Sequence, residues 1–109
     1  MPHIKFRGIA KDKILENSKE IVDGLTEIIK CDRTWFTLEH IETEYIFDGK
    51  TVPGYTFAEI LWFERDKETK DAAAKFLTEI LKRINDGNDT TIIFFPLQGE
   101  NYYDNGVHF

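Results

Sequence analysis

Shifting the apolar residues Ile21, Val22, Leu25 and Ile29 by about 55 positions lands on Phe76, Leu77, Ile80 and Ile84, and the same shift carries Phe6 onto Leu61. Each copy reads as strand, amphipathic helix, strand. In the first copy Ile4 and Phe6 alternate with His3, Lys5 and Arg7, the period-2 pattern of a strand. Ile14, Leu15, Ile21, Val22, Leu25, Ile28 and Ile29 then recur at helical spacing between Glu16, Lys19, Glu20, Asp23 and Glu27. A unit of this kind closes as a right-handed parallel crossover. Two of them constrain the chain to an α/β two-layer sandwich of duplicated β-α-β units, a four-stranded sheet with two helices on one face. The pattern predicts one domain over 1–109, with units at about 2–47 and 57–98 and a C-terminal hairpin over 99–109 signalled by Asn105-Gly106.

Local signals refine this outline. Asp12 and Asp66 are expected helix N-caps, Gly87 the left-handed stop of the second helix, and Gly24 a close approach of the first helix to the sheet. Trp35 to Phe47 reads as one strand whose apolar phase slips near His40, as at a bulge. Asp48-Gly49-Lys50 reads as a turn, followed by an irregular loop through Tyr55. The later strands are apolar in both phases, so Phe57, Ile60, Trp62, Ile92, Ile93, Phe94 and Phe95 are expected to fill both faces of the sheet. Pro96, lacking an N–H, belongs at an edge or a bulge. With helices on one side only, the second face is expected to be covered by oligomerisation.

A net charge of −6 argues against nucleic acid or an anionic membrane as partner, since phosphate binding needs a cationic face, while leaving room for a small anion held by local arginines. No apolar run reaches the roughly 18 residues of a membrane span, and no secretory segment is visible. Cys31 stands alone, which excludes an internal disulfide and a cysteine-rich zinc site. His3, His40 and His108 sit in separate segments without ligand spacing. No hydroxyl-nucleophile elbow or glycine-rich phosphate loop occurs. The expectation is a cytoplasmic protein without metal or cofactor.

The candidate chemistry starts at Pro2. Removal of Met1, expected beside so small a neighbour, would leave the Pro2 nitrogen a secondary amine on a rigid ring. An α-amino group titrates at about 7.7–8.0, and an apolar pocket lowers that value towards the range where a general base works best. Phe36, Trp62, Phe94 and Tyr103 are candidate walls for such a pocket. A proline merely tolerated as the first residue of a strand is the other reading. Glu59, a carboxylate among apolar neighbours, is either a buried acid or an ion-paired group at a subunit contact.

Pro2 after the initiator, two strand–helix–strand units, about 110 residues and an apolar second face together resemble the tautomerase superfamily. The stretches Met1-Pro-His-Ile-Lys-Phe-Arg-Gly8, Phe57-Ala-Glu-Ile-Leu-Trp-Phe-Glu-Arg65 and Asn101-Tyr-Tyr-Asp-Asn-Gly-Val-His-Phe109 carry a narrower likeness within it. That superfamily includes 4-oxalocrotonate tautomerase, 5-carboxymethyl-2-hydroxymuconate isomerase and macrophage migration inhibitory factor. More narrowly, the chain is similar to a small uncharacterised bacterial family within it. The resemblance implies a homotrimer whose sheets enclose a barrel, with a pocket at each subunit boundary. It implies that Pro2 is the catalytic base, moving a proton between the oxygen and a carbon of a small carboxylated enol or keto acid. Cationic side chains would hold the carboxylate: Arg65 and Arg33 are the candidates, ahead of Arg7. Trp62 and Tyr103, or Tyr102, would complete the pocket. The polar pair that the inflammatory-factor relatives carry in the last strand falls near Ile92 and Phe94, so their phenylpyruvate-type substrates are not implied. A non-catalytic oligomer of this fold, acting as a binding or structural module, is the alternative.

Overall fold

Strand β1 (His3–Arg7) alternates half-buried and buried residues and turns Ile4 and Phe6 inward. The computed structural model describes residues 2–108. Gly8 ends β1 at φ 75°, where a Cβ would stand 2.0 Å from the Tyr55 carbonyl oxygen. Helix α1 (Lys11–Ile29) buries Ile14, Ile21, Leu25 and Ile29. Its expected cap is displaced: Ala10 holds the cap position without a side-chain bond, and Asp12 lies in the first turn, where its charge still favours the positive end of the helix dipole. Asp32 then caps a short 3-10 turn (Arg33–Trp35), its carboxylate accepting the Thr34 N–H at 2.9 Å.

Strand β2 (Thr37–His40) returns parallel to β1, with Ile4 beside Leu38. The single strand expected through Phe47 is two. After His40 the chain leaves the sheet, and β3 (Tyr45–Phe47) pairs with β4 (Lys50–Val52) as a separate hairpin. Asp48 and Gly49 take φ of 56° and 77°, the turn whose twist matches paired strands. Residues 50–52, expected to be irregular, are therefore strand.

Strand β5 (Thr56–Phe63) runs antiparallel to β1, Lys5 facing Glu59. Helix α2 (Lys67–Ile84) is capped as expected by Asp66, whose carboxylate accepts the Thr69 N–H at 3.2 Å. It ends through Asp86 and Gly87 at φ 60° and 75°, with the Gly87 N–H donating to the Lys82 carbonyl at 2.9 Å. Strand β6 (Thr90–Leu97) lies parallel to β5. The sheet order is β2-β1-β5-β6, so each β-α-β unit is a parallel pair, the two units join antiparallel, and Pro96 lies on an edge strand. Asn105 and Gly106, at φ 51° and 80°, turn β7 (Tyr103–Asp104) into β8 (Val107–His108).

Register sorts the side chains into faces. Ile4, Phe6, Ala58, Ile60 and Trp62 pack with Ile21, Leu25, Leu77 and Leu81 in one core, and Ile92 and Phe94 lean on it. The seven apolar residues expected to fill both faces of the sheet divide between them. Ile60, Trp62, Ile92 and Phe94 face the helices, and only Phe57, Ile93 and Phe95 share the open face, with Leu61 and Phe63. The β1–β2 half of that face is charged. His3 Nε2 meets Glu39 at 3.0 Å, and Arg7 pairs with Glu59 while lying 4.8 Å over the Phe57 ring. The Glu59 carboxylate is thus answered within its own chain, whatever else meets that face. Ile46 and Phe47, 74% and 72% exposed, stand out on the β3–β4 hairpin. The radius of gyration, 14.9 Å, exceeds the roughly 13 Å of a compact domain of this length, consistent with two projecting hairpins.

Gly24 marks a helix–helix contact rather than the expected helix–sheet one: a Cβ there would fall 1.9 Å from the tip of the Phe76 ring. Gly24→Ala should therefore destabilise by up to about 2 kcal/mol, overpacking outweighing the roughly 1 kcal/mol of helix propensity gained. In a Phe76→Leu background the same change should stabilise. Urea midpoints measure both, and stabilisation by Gly24→Ala alone would contradict the contact.

Candidate functional site at one end of the sheet

Topology gathers the residues singled out from sequence. β1 and β2 begin at one end of the sheet, and β5 and β6 finish there, because β1 and β5 are antiparallel while each β-α-β pair is parallel. Pro2 precedes β1, Arg33 and Phe36 precede β2, Trp62 and Arg65 close β5, and Tyr102 and Tyr103 follow β6. All belong to this end.

Pro2 is fully buried, and its carbonyl accepts the Thr37 N–H at 3.1 Å. Since His3 faces Leu61, continuing the register by one residue sets Pro2 across from Trp62. Trp62 is 1% exposed, on the helix side, with its ring 4.6 Å from that of Phe94 and tilted by 35°. Its Nε1 has no hydrogen-bond partner among the described residues. Phe36 packs against the same core. Pro2 is therefore buried across from an apolar ring, and burial of this kind lowers an amine's pKa. The state of Met1, on which a free Pro2 nitrogen depends, lies outside the described residues.

Arg65 is half-buried, and its Nη1 donates to the Phe63 carbonyl at 2.8 Å. One carbonyl occupies one of five guanidinium donors. Its charge is felt at Cys31, where burial pushes the thiol pKa up and the Arg65 cation pulls it back. Cys31, whose lone occurrence in the sequence excludes a disulfide and a cysteine-rich zinc site, lies between α1 and the 3-10 turn that leads into β2, at this same end. Arg33 shares the end of the sheet but is turned outward. Its Nε donates to Asp23 at 2.6 Å, and Asp23, also bonded by Lys19, has its carboxyl held below the ordinary range by these two cations. Tyr103 projects on the C-terminal hairpin with its ring edge-on to His108 at 5.2 Å, whereas Tyr102 packs edge-on to Phe63 at 5.2 Å. The structure thus brings Pro2, Trp62 and Arg65 together by position and turns Arg33 and Tyr103 away.

Two other features bear on the site. A depression of about 560 Å³ lined by Gly8, His40, Glu42, Glu44, Tyr45 and others occupies the opposite end of the sheet, and none of the residues above lines it. Among the described residues no three His, Cys, Asp or Glu side chains group as a metal site; His3 is engaged with Thr37 and Glu39, and His40 donates to the Ile9 carbonyl at 2.7 Å.

Residues 1–108 match the family described as a domain of unknown function, DUF1904. The chain belongs to the DUF1904 family. A crystal structure of a DUF1904 protein from Sebaldella termitidis is 45% identical over 100% of both chains, with a TM-score of 0.93. Beyond the family, a macrophage migration inhibitory factor-like protein from Entamoeba histolytica is 19% identical, covering 99% of this chain and 98% of its own, at TM-score 0.75. A fused 4-oxalocrotonate tautomerase described as an asymmetric trimer is 12% identical, covering 97% and 94%, at TM-score 0.83. No protein of curated function matches the chain. This DUF1904 chain has the tautomerase-superfamily fold.

The effect of Arg65 on Cys31 has a sign. A cation favours the thiolate, so Arg65→Gln should raise the pH midpoint of Cys31 alkylation by iodoacetamide above its already elevated value. A midpoint unchanged by the substitution would mean that the guanidinium does not face this end of the sheet.

Proposed function

We propose that this protein is a cytoplasmic, cofactor-independent tautomerase in which Pro2, freed by removal of Met1, is the general base acting on a small carboxylated enol or keto acid. The observation that carries this reading is the complete burial of Pro2 at the head of β1, across from Trp62. Arg65, half-buried beyond the end of β5 with donors to spare, is the carboxylate ligand in this reading. Trp62 supplies the apolar wall. Arg33 and Tyr103 take part only by leaving their present partners, Asp23 and His108.

In the reaction the neutral Pro2 nitrogen takes the proton of the enol hydroxyl. The oxygen becomes a carbonyl, the double bond shifts, and the prolinium returns a proton to carbon. Nothing is gained or lost, so no cofactor is needed. Desolvation keeps the nitrogen unprotonated near neutral pH, and Arg65 holds the acid in register. The active form is a homotrimer. This reading rests on the exposed Phe57, Ile93 and Phe95 face, on the apolar hairpin residues Ile46 and Phe47, and on the trimer described for a protein of the same fold. No helix among the described residues is long and apolar enough to cross a membrane.

The test uses Met1-free protein, verified by intact mass, against a panel of 2-hydroxydienoates. Turnover is expected, with Pro2→Ala lowering it by about a hundredfold or more. The acetylenic acid 2-oxo-3-pentynoate, which inactivates a protein of this fold, should add its mass once, at Pro2. A Met1-free trimer that neither turns over the panel nor takes the label would instead favour the non-catalytic module.

A further inference from the structure

The indole of Trp62 is the one buried side chain at this end of the sheet that carries an unanswered polar atom among the described residues. Its ring is packed on Phe94 and 1% exposed, yet Nε1–H has no acceptor. A buried donor without a partner costs about 1–3 kcal/mol, and such groups in folded proteins generally have a reason. Phenylalanine would fill an apolar wall without that cost. The second orphan, Asn85 Oδ1, has an ordinary explanation: the same amide donates to Thr56 at 2.7 Å and Thr90 at 3.1 Å and ties α2 to the sheet. Trp62 makes no such bond. Its position is also particular, since it is the cross-strand neighbour of Pro2.

We infer that Trp62 Nε1–H is the hydrogen-bond donor for the oxygen of the substrate's enol or keto group, next to the Pro2 nitrogen. The inference rests on the reading of Pro2 as a free amine and adds to it a second reacting-centre contact. Cleavage of the Met1–Pro2 bond turns an amide into an amine, so that the base on β1 and the indole donor on β5 would flank one ligand oxygen across the strand pair. As the proton leaves the enol, or as the amine adds to an acetylenic ketone, negative charge develops on that oxygen. A preset donor in apolar surroundings stabilises the charge more strongly than water does. The division of labour is then complete: Pro2 moves the proton, Arg65 holds the carboxylate, and Trp62 holds the oxygen.

Trp62→Phe removes the donor and keeps most of the ring. With Met1-free protein and 2-oxo-3-pentynoate as the probe, the substitution should slow labelling of Pro2 by roughly 10- to 100-fold, the effect of one hydrogen bond to a charged acceptor. The pH midpoint of labelling should stay where it is, because the amine is untouched. A second readout needs no variant: in ¹⁵N-labelled wild type, the Trp62 indole N–H resonance should move downfield in the labelled protein, with Trp35 as the internal reference. Equal labelling rates, or an unmoved Trp62 resonance in fully labelled protein, would overturn the inference and leave the proline reading intact. Absence of any label on Met1-free wild type would overturn the proline reading itself, and this inference with it.

Discussion

The antiparallel pairing of β1 with β5 is the constraint on which the rest of the molecule depends. It joins the two β-α-β units, and its register, His3 to Leu61 through Arg7 to Phe57, decides which side chains meet the helices. Ile4 and Phe6 lie in phase with Ala58, Ile60 and Trp62, and all five are buried. A slip of one residue would turn Lys5 and Glu59 into the core, where charges are costly even when paired. The same register leaves Arg7, Glu59, Lys5 and His3 on the open face, where Arg7 pairs with Glu59 and His3 with Glu39. It also sets Pro2 beside the Trp62 indole, so the packing of the core and the geometry of the candidate site have one origin.

The asymmetry of the open face follows from the same arrangement. β1 and β2 contribute ion-paired and hydrogen-bonded groups; β5 and β6 contribute Phe57, Leu61, Phe63, Ile93 and Phe95. A partner subunit meeting this face finds an apolar half beside a half whose charges are largely matched already. The hairpins carry a complementary feature, with Ile46 and Phe47 raised away from their own core. In the trimeric reading these exposed groups cover one another between chains.

The two helices, four sheet strands and the duplication were legible because each repeats a strong period: Ile21, Leu25 and Ile29, then Leu77 and Ile80, mark single buried stripes. The C-terminal hairpin was legible from Asn105-Gly106. Failures came where a pattern had two meanings. β5 is apolar in both phases, so only pairing reveals that Trp62 faces inward and Leu61 outward. Ile41 through Phe47 looked like a continuing strand because exposed apolar residues on a hairpin resemble buried ones in a sheet. Asp48-Gly49 is itself a hairpin signal, since both residues take the positive φ of a tight two-residue turn. At the candidate site, the location of Pro2 at the head of β1 and of Arg65 just past the end of β5 was legible from the strand pattern. The outward turn of Arg33 was not, because Asp23 lies ten residues away, near the end of α1, and only folding brings them within 2.6 Å.

The central claim is that the fold prepares Pro2 as a base. In this reading, burial of Pro2 across from Trp62 disfavours the protonated amine, and the cationic Arg65 at the same end of the sheet acts in the same direction. The direct measurement is a pH titration of the Pro2 nitrogen resonance in Met1-free protein labelled with ¹⁵N-proline. The account predicts a midpoint clearly below the ordinary α-amino range of about 7.7–8.0. A midpoint within or above that range would contradict it.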